Sequence, residues 1–215
     1  IYFDITTEDL TFVASDGHKL VRVTTTETKG EGRSSFILPK KPANLLKSIL
    51  PRESGEVEIR FDENNAYIAM SSYKMVCRFV EGRYPNYNSV IPQNNPNSFI
   101  LDRLTLLNAL KRVAVFSNPA SNLVKFQLSE DKIVVTAQDI DFLTTAEETI
   151  PCTYQGSVMN IGFKASFLID ILDNIPSSDI RMELSDPSRA GLILPVEKEE
   201  NEDMLTLLMP MMLND

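Results

Sequence analysis

The chain repeats itself over a long interval, and this repeat limits the folds that it can adopt. Residues 3–16 match residues 126–139 in apolar pattern and in several identities, and the residue numbers differ by 123. Residues 56–61 match residues 179–184 with the same offset. Because separate blocks agree on one register, the sequence predicts two copies of one structural unit.

The two predicted copies, residues 1–92 and 93–215, are unequal. The second copy has an additional stretch before its matching region, residues 97–122, with the pattern of a strand followed by an amphipathic helix. The first copy lacks this stretch and does not begin with methionine. We therefore expect a chain that is truncated at its N-terminus. Residues 85–98 contain three prolines and five asparagines, which predicts an interdomain linker.

Strand and helix patterns alternate within each copy. The stretches "GEVEIRF" and "SDIRMEL" alternate apolar and polar residues with period two, which is typical of antiparallel sheets with one face exposed to water. Apolar residues at helical spacing predict helices at 42–50, 103–116 and 165–175, with Leu45, Leu46, Ile49 and Leu50 on the apolar face of the first. The predicted fold class is α+β, with antiparallel sheets packed on helices.

Composition excludes several kinds of function. An apolar content of 43% is sufficient for buried cores, and no segment is long and apolar enough to span a membrane. No signal peptide is recognisable, so we expect a cytoplasmic protein. Cys77 and Cys152 lie far apart and the chain has one histidine, which predicts no metal site and two buried free thiols.

The single histidine is the obvious candidate for catalysis. His18 lies two residues after Asp16, but the intervening Gly17 favours a tight hairpin turn in which His18 is half-buried. Motifs of serine hydrolases, nucleotide-binding loops and zinc proteases are absent from the sequence. We therefore expect no catalytic residue and no cofactor, with an esterase or nuclease that uses His18 and Asp16 as the remaining enzymatic alternative.

The C-terminus is unusually apolar. "MLTLLMPMMLND" predicts a final strand that ends before Pro210, because proline has no N–H to donate to a ladder. Met209, Met211, Met212 and Leu213 follow this strand. Flexible thioether side chains at such a position are typical of the rim of a core or of a surface that receives apolar side chains from partners.

Four segments resemble, in order, the bacterial DNA polymerase III β subunit, the replicative sliding clamp. They are "VASDGHKL" at 13–20, "EGRYPNYNSVIP" at 81–92, "IGFKASFLIDIL" at 161–172 and "LLMPMML" at 207–213. The resemblance covers essentially the whole chain and implies the middle and C-terminal domains of a protein with three similar domains per protomer. It also implies a non-catalytic processivity factor whose two protomers close a ring around double-stranded DNA.

The resemblance implies a hydrophobic pocket for linear peptides of the DNA polymerase III α subunit, the clamp loader, other polymerases and repair proteins. The residues carried over by motif are Ser15, Gly17, His18, Lys19, Leu20, Pro85, Ser89, Val90, Leu207, Met209, Pro210, Met211, Met212 and Leu213. Met212 and Ser89 stand where the family commonly has basic residues, and Asn214 and Asp215 extend the usual end. We therefore expect a preference for more apolar peptides.

The resemblance also implies a DNA-facing surface and an interface within a homodimeric ring. The candidates for DNA contact are Lys40, Lys41, Lys47, Lys111 and Arg112, although the net charge of −9 argues against tight phosphate binding. Val115 and Phe116 match positions at the ring interface, with a place in the core as the alternative. A generic protein-interaction scaffold without a DNA function is the alternative to the clamp.

Overall fold

The computed structural model describes residues 1–213, so the C-terminal extension predicted to affect the pocket, Asn214 and Asp215, lies outside the described residues. Contacts divide the chain into two compact units. The first comprises Ile1–Ser15 and Arg22–Tyr87, and the second comprises Asp16–Val21 and the chain from Asn88 onward. The α+β prediction is confirmed, since both units combine antiparallel sheets with helices.

The first unit contains two antiparallel sheets and one α-helix. One sheet has the order β3-β2-β1-β4, and the other has the order β5-β6-β7. The elements are β1 (Tyr2–Ile5), β2 (Leu10–Ser15), β3 (Lys19–Thr25), β4 (Ser34–Ile37), α1 (Lys40–Ile49), a 3-10 turn (Leu50–Arg52), β5 (Glu58–Phe61), β6 (Asn65–Ala69) and β7 (Lys74–Arg78).

Aromatic side chains form the centre of this unit. Phe3 and Phe36 are buried on the neighbouring strands β1 and β4. The ring of Phe36 stacks on Phe3 and on Phe79, with centroid distances of 4.5 Å in both pairs. Apolar burial of this kind contributes about 25 cal/mol per Å², so these rings stabilise the packing of the two sheets.

Helix α1 begins two residues before the predicted start and ends one residue before the predicted end. Pro42 lies in its first turn, where the missing N–H has no intrahelical partner to lose. Leu46 and Ile49 pack against the core clusters, but Leu45 and Leu50 are 45% and 40% exposed. The four residues of the predicted apolar face are therefore covered unequally, because consecutive helical residues point about 100° apart.

The second unit has a five-stranded antiparallel sheet, a four-stranded antiparallel sheet and two α-helices. The strand orders are β12-β8-β14-β15-β16 and β11-β10-β9-β13. The elements are β8 (Asn97–Asp102), α2 (Arg103–Val113), a 3-10 turn (Ala114–Phe116), β9 (Leu123–Ser129), β10 (Lys132–Asp139), β11 (Thr144–Pro151), β12 (Thr153–Gln155), β13 (Met159–Lys164), α3 (Ala165–Asn174), β14 (Asp179–Leu184), β15 (Gly191–Pro195) and β16 (Glu202–Leu208). A further 3-10 turn, Tyr87–Val90, lies in the predicted linker.

Helices α2 and α3 cover the core of this unit. Asp102 caps α2 by accepting a hydrogen bond from the Thr105 N–H at 2.6 Å. Leu110 of α2 and Leu168 and Leu172 of α3 are fully buried. They belong to the same core as strand residues such as Phe126. The core side chains of β9 alternate with partly or fully exposed residues on the opposite face of the sheet.

Candidate functional site

The C-terminal segment that follows β16 forms two backbone hydrogen bonds with other parts of the second unit. The Met209 N–H donates to the His18 carbonyl oxygen at 2.8 Å, and the Met211 N–H donates to the Gly162 carbonyl oxygen at 2.8 Å. Met211 and Gly162 also form an antiparallel bridge. The first bond ties the segment 209–213, called the tail below, to the turn that contains His18, and the second ties it to β13.

The tail presents methionine side chains outward. Met209 is 41% exposed and Met212 is 75% exposed, whereas Leu207 and Leu208 of the preceding strand are buried. The prediction of a final strand before Pro210 is confirmed. Because thioether side chains adapt to differently shaped apolar groups, an ordered backbone with exposed methionines can accommodate varied ligands.

A tight turn places His18 beside the tail. Gly17 has φ of +87°, a conformation that glycine adopts without strain. The Asp16 side chain accepts hydrogen bonds from the His18 and Lys19 N–H groups, both at 2.9 Å. Partial burial alone would raise the pKa of Asp16, but these hydrogen bonds and the nearby positive charges lower it below its usual value.

The geometry of this turn is relevant to the alternative of an esterase or nuclease that uses His18 and Asp16. One oxygen of the Asp16 carboxylate, Oδ1, accepts both backbone N–H groups, so the side chain caps the turn. The predicted turn is therefore confirmed. The prediction that His18 is half-buried is wrong, because the turn places it at the surface, where its ring contacts Phe167 with a centroid distance of 5.8 Å.

Phe167, in the first turn of α3, carries two lysines over its ring. The ammonium groups of Lys19 and Lys164 both lie 4.9 Å from the ring centroid. Lys19 also forms an ion pair with Asp170 one turn further along α3. A cation over an aromatic face is attracted by the ring quadrupole, so Phe167 holds two ammonium groups near His18.

The predicted peptide-pocket residues divide among different places in the structure. Leu20 and Leu207 are buried, while Ser89 and Val90 are exposed in the 3-10 turn 87–90. Ser15 and Pro85 belong to the first unit. The structure brings together the turn 16–19 and the tail in the second unit.

Sequence reasoning did not identify Phe167, Lys164 or Gly162 as site residues. An added Cβ at Gly162 would lie 2.7 Å from the Met211 carbonyl oxygen, so only glycine allows the tail to approach so closely. All three lie in the quoted segment "IGFKASFLIDIL". The family resemblance already marked that segment, but its contact with the tail depends on tertiary structure and cannot be recognised from the sequence.

The candidate DNA-facing residues fall into two groups. Lys40, Lys41 and Lys47 are exposed on α1, and the first two line a shallow depression of about 430 Å³ with Asn44 and Leu45. Lys111 of α2 instead pairs with Asp173 at 3.1 Å.

Arg112 is also paired. It donates two hydrogen bonds to the Glu148 carboxylate, at 2.6 and 2.7 Å. Such a bidentate pair fixes the guanidinium in place. It raises the pKa of Arg112, and it lowers the pKa of Glu148 despite the opposing effect of partial burial.

The candidate interface residues are exposed. Val115 is 77% exposed and Phe116 is 41% exposed, so the alternative that they belong to the core is wrong. Exposed apolar side chains also occupy the β10–β11 hairpin, where Ile140, Phe142 and Leu143 are 75–89% exposed. An apolar surface of this kind is typical of a protein interface.

No group of side chains suited to a metal ion occurs within residues 1–213. Cys77 and Cys152 are free thiols, but each is only partly buried, because each lies at the edge of its core cluster. Burial raises the pKa of both, and burial together with the charge of Asp131 raises the pKa of Cys152 to about 11. No helix in the described part of the chain is long and apolar enough to cross a membrane.

Comparison with known proteins gives consistent results. A family model described as DNA polymerase III beta subunit, central domain, matches residues 1–86, and one described as the C-terminal domain of the same subunit matches residues 88–212. The beta sliding clamp of Pseudomonas aeruginosa is 29% identical over 94% of this chain and 54% of its own length. The Escherichia coli beta sliding clamp is 28% identical over 98% of this chain and 57% of its own length.

Comparison with solved structures points to the same family as the sequence comparisons. The sliding clamp of P. aeruginosa bound to griselimycin superposes with a TM-score of 0.92 at 27% identity, over 99% of this chain and 57% of that one. The chain thus spans about half the length of the relatives that it matches. The prediction of two tandem clamp domains is confirmed. The chain belongs to the DNA polymerase III beta subunit family, of which it contains the central and C-terminal domains.

Proposed function

We propose that this chain is the peptide-docking part of a replicative sliding clamp without catalytic activity, which acts in the bacterial cytoplasm. Its partners would be DNA polymerase III α subunit, the clamp loader, other polymerases and repair proteins, which dock through linear motifs. The complete protein would encircle double-stranded DNA as a homodimeric ring. We retain the residue assignments made from the sequence for the pocket, for DNA contact and for the ring interface, where Val115 and Phe116 would lie.

The observation that carries this proposal is the geometry of the tail. Two backbone hydrogen bonds hold it beside His18 and Gly162, while Met209 and Met212 remain exposed. A fixed backbone lowers the entropic cost of binding, and exposed methionines supply apolar contact area. The combination suits a short linear peptide with apolar anchor residues.

Peptide titration tests this function. A fluorescent peptide with a glutamine followed by leucines and a terminal phenylalanine should bind with a dissociation constant of about 1 μM, roughly −8 kcal/mol. Met209→Ala removes an exposed apolar contact and should weaken binding by about 1–2 kcal/mol, which is roughly 5–30-fold. Fluorescence anisotropy measures both constants.

Val76→Ala is the matched control. Val76 is 64% exposed on β7 of the first unit, so its truncation removes exposed apolar surface from the unit that does not contain the tail. Its affinity for the peptide should equal that of the unmodified chain. Equal weakening by both substitutions, or no saturable binding at all, would reject the tail as the docking site.

A further inference from the structure

A groove separate from the proposed docking surface adjoins the tail. It lies in the second unit on the four-stranded sheet, on the face opposite the helices, and has a volume of about 530 Å³. Its floor includes Lys125 of β9 and Thr136 of β10, which are direct neighbours in the strand register. Leu213 of the tail forms part of one side and Ile140 of the β10–β11 hairpin forms part of another. We call this space the tail groove.

The tail itself builds the wall of the groove. An added Cβ at Gly162 would lie 2.9 Å from Leu213 Cδ2 and 3.0 Å from Leu123 Cδ1. Both leucines therefore pack directly over this glycine. The tail groove and the peptide-docking surface consequently share one strand of polypeptide as their boundary.

The lining has a specific chemistry. Leu123, Ile140 and Leu213 supply apolar surface, whereas Lys125, Thr136 and Gln138 supply hydrogen-bond donors. Lys125 is half-buried, and it has no salt-bridge partner among residues 1–213. A half-buried ammonium group without a carboxylate favours a ligand that brings one.

The charge distribution selects the class of ligand. The lining contains one lysine, Lys125, and one carboxylate, Asp141, so it offers no cluster of cations that could neutralise a run of phosphates. A volume of this size holds a few side chains. The lining therefore fits a short peptide segment with an apolar side chain and one carboxylate.

Distance connects the groove with the docking surface. Met209 is bonded to His18, and Leu213 follows four residues later. A fully extended chain spans about 3.3 Å per residue, so these two positions are at most about 13 Å apart. A peptide that runs along the tail would need about four residues beyond its docking motif to enter the groove.

We propose that the tail groove binds the segment that flanks the docking motif of a partner, with an apolar side chain against Leu123 and Leu213 and a carboxylate at Lys125. This inference rests on the function proposed above. It assigns partner preference to a site outside the motif, and it makes an acidic flanking residue part of recognition. It also adds a charge requirement to the more apolar preference expected from Met212 and Ser89.

Three peptides test the inference. One carries the docking motif alone, and the other two extend it by six residues that include a leucine and an aspartate, at the N-terminal or the C-terminal end. One extended peptide should bind about 10-fold more tightly than the motif alone. In Lys125→Glu this gain should disappear, while the affinity for the motif alone stays unchanged.

Lys132→Glu is the matched control, since Lys132 is an exposed lysine on β10 outside the groove lining and the change in net charge is the same. It should retain most of the 10-fold gain. Unchanged affinity for the motif alone shows that Lys125→Glu still folds, and Lys125→Ala serves as a milder second variant.

The outcomes separate the two proposals. If the motif binds but neither extension adds affinity, the tail groove is rejected and the docking surface stands. A gain that survives equally in Lys125→Glu and Lys132→Glu also rejects the groove. If the motif peptide itself does not bind, the proposed function fails and the present inference fails with it.

Discussion

Helices α1 and α3 occupy matching positions in the two repeats but differ in burial. Residues 45, 46, 49 and 50 of the first repeat correspond to 167, 168, 171 and 172 of the second with an offset of 122. In α3 Leu168 and Leu172 are fully buried, because α2 packs against it. Among the described residues, the first unit contains one α-helix, α1. None of the residues of α1 is fully buried.

The difference shows what a helical pattern determines. Apolar spacing decides which side of a helix faces the sheet, and both helices follow it with Leu46 and Leu168. How much of that side is covered depends on a second helix. The same pattern therefore carries different stability in the two units, and this expectation is open to measurement.

Truncation of matching leucines should give the largest contrast. Leu172→Ala leaves a cavity in a fully buried site and should lower the free energy of unfolding by about 2–5 kcal/mol. Leu50→Ala, at the matching position with 40% exposure, should change it by no more than about 1 kcal/mol. Urea denaturation followed by circular dichroism measures both values. Similar losses from both substitutions would show that the C-terminal end of α1 is covered as fully as that of α3.

The two cysteines extend the contrast to reactivity. Burial and the charge of Asp131 raise the pKa of Cys152 from 9.0 to about 11, so its thiolate population at pH 8 should be roughly 100-fold below that of an ordinary thiol. Alkylation by iodoacetamide at pH 8 should accordingly be about 100-fold slower in folded Cys77→Ser than in the same variant unfolded in urea.

Cys152→Ser isolates the other thiol. Burial also raises the pKa of Cys77, but a hydrogen bond from the Ala66 N–H opposes this effect. We expect Cys77 to react faster than Cys152 in the folded chain. Equal rates, or slower alkylation of Cys77, would contradict the expected difference between the two sites.

Sequence reasoning predicted elements more accurately than contacts. The helix predicted at 165–175 occurs at Ala165–Asn174, and the one predicted at 103–116 continues as a 3-10 turn from Ala114. Local periodicity and capping determine such features, as the Asp102 cap of α2 illustrates. The turn at Gly17 was predictable for the same reason.

The arrangement of the site depends on residues that are distant in sequence. Lys19 meets Asp170 across 151 positions of the chain, and the two lysines above Phe167 come from different segments. No periodicity connects such residues. The motif resemblance identified the segments "VASDGHKL" and "IGFKASFLIDIL" without showing that they touch, so Phe167 was missed although its segment was quoted.

The cations on α1 and α2 differ in whether a carboxylate pairs with them, as the leucines of α1 and α3 differ in whether a second helix covers them. Lys40 and Lys41 have no ion pair among residues 1–213, whereas Lys111 and Arg112 pair with Asp173 and Glu148. A carboxylate beside a cation opposes the attraction between that cation and a phosphate. We therefore expect the α1 lysines to contribute more to contact with duplex DNA.

Two double substitutions test this expectation at equal net charge. The chain with Lys40→Ala and Lys41→Ala should lose about 0.9 in the slope of log K against log salt for each phosphate contact removed, close to 2 in total. The chain with Lys111→Ala and Arg112→Ala should lose clearly less. Anisotropy of a labelled duplex between 20 and 200 mM salt gives both slopes. An equal loss of slope in both variants would contradict the expectation that pairing reduces the contribution of the α2 cations. No loss of slope from either change would favour a protein-interaction scaffold without a DNA function.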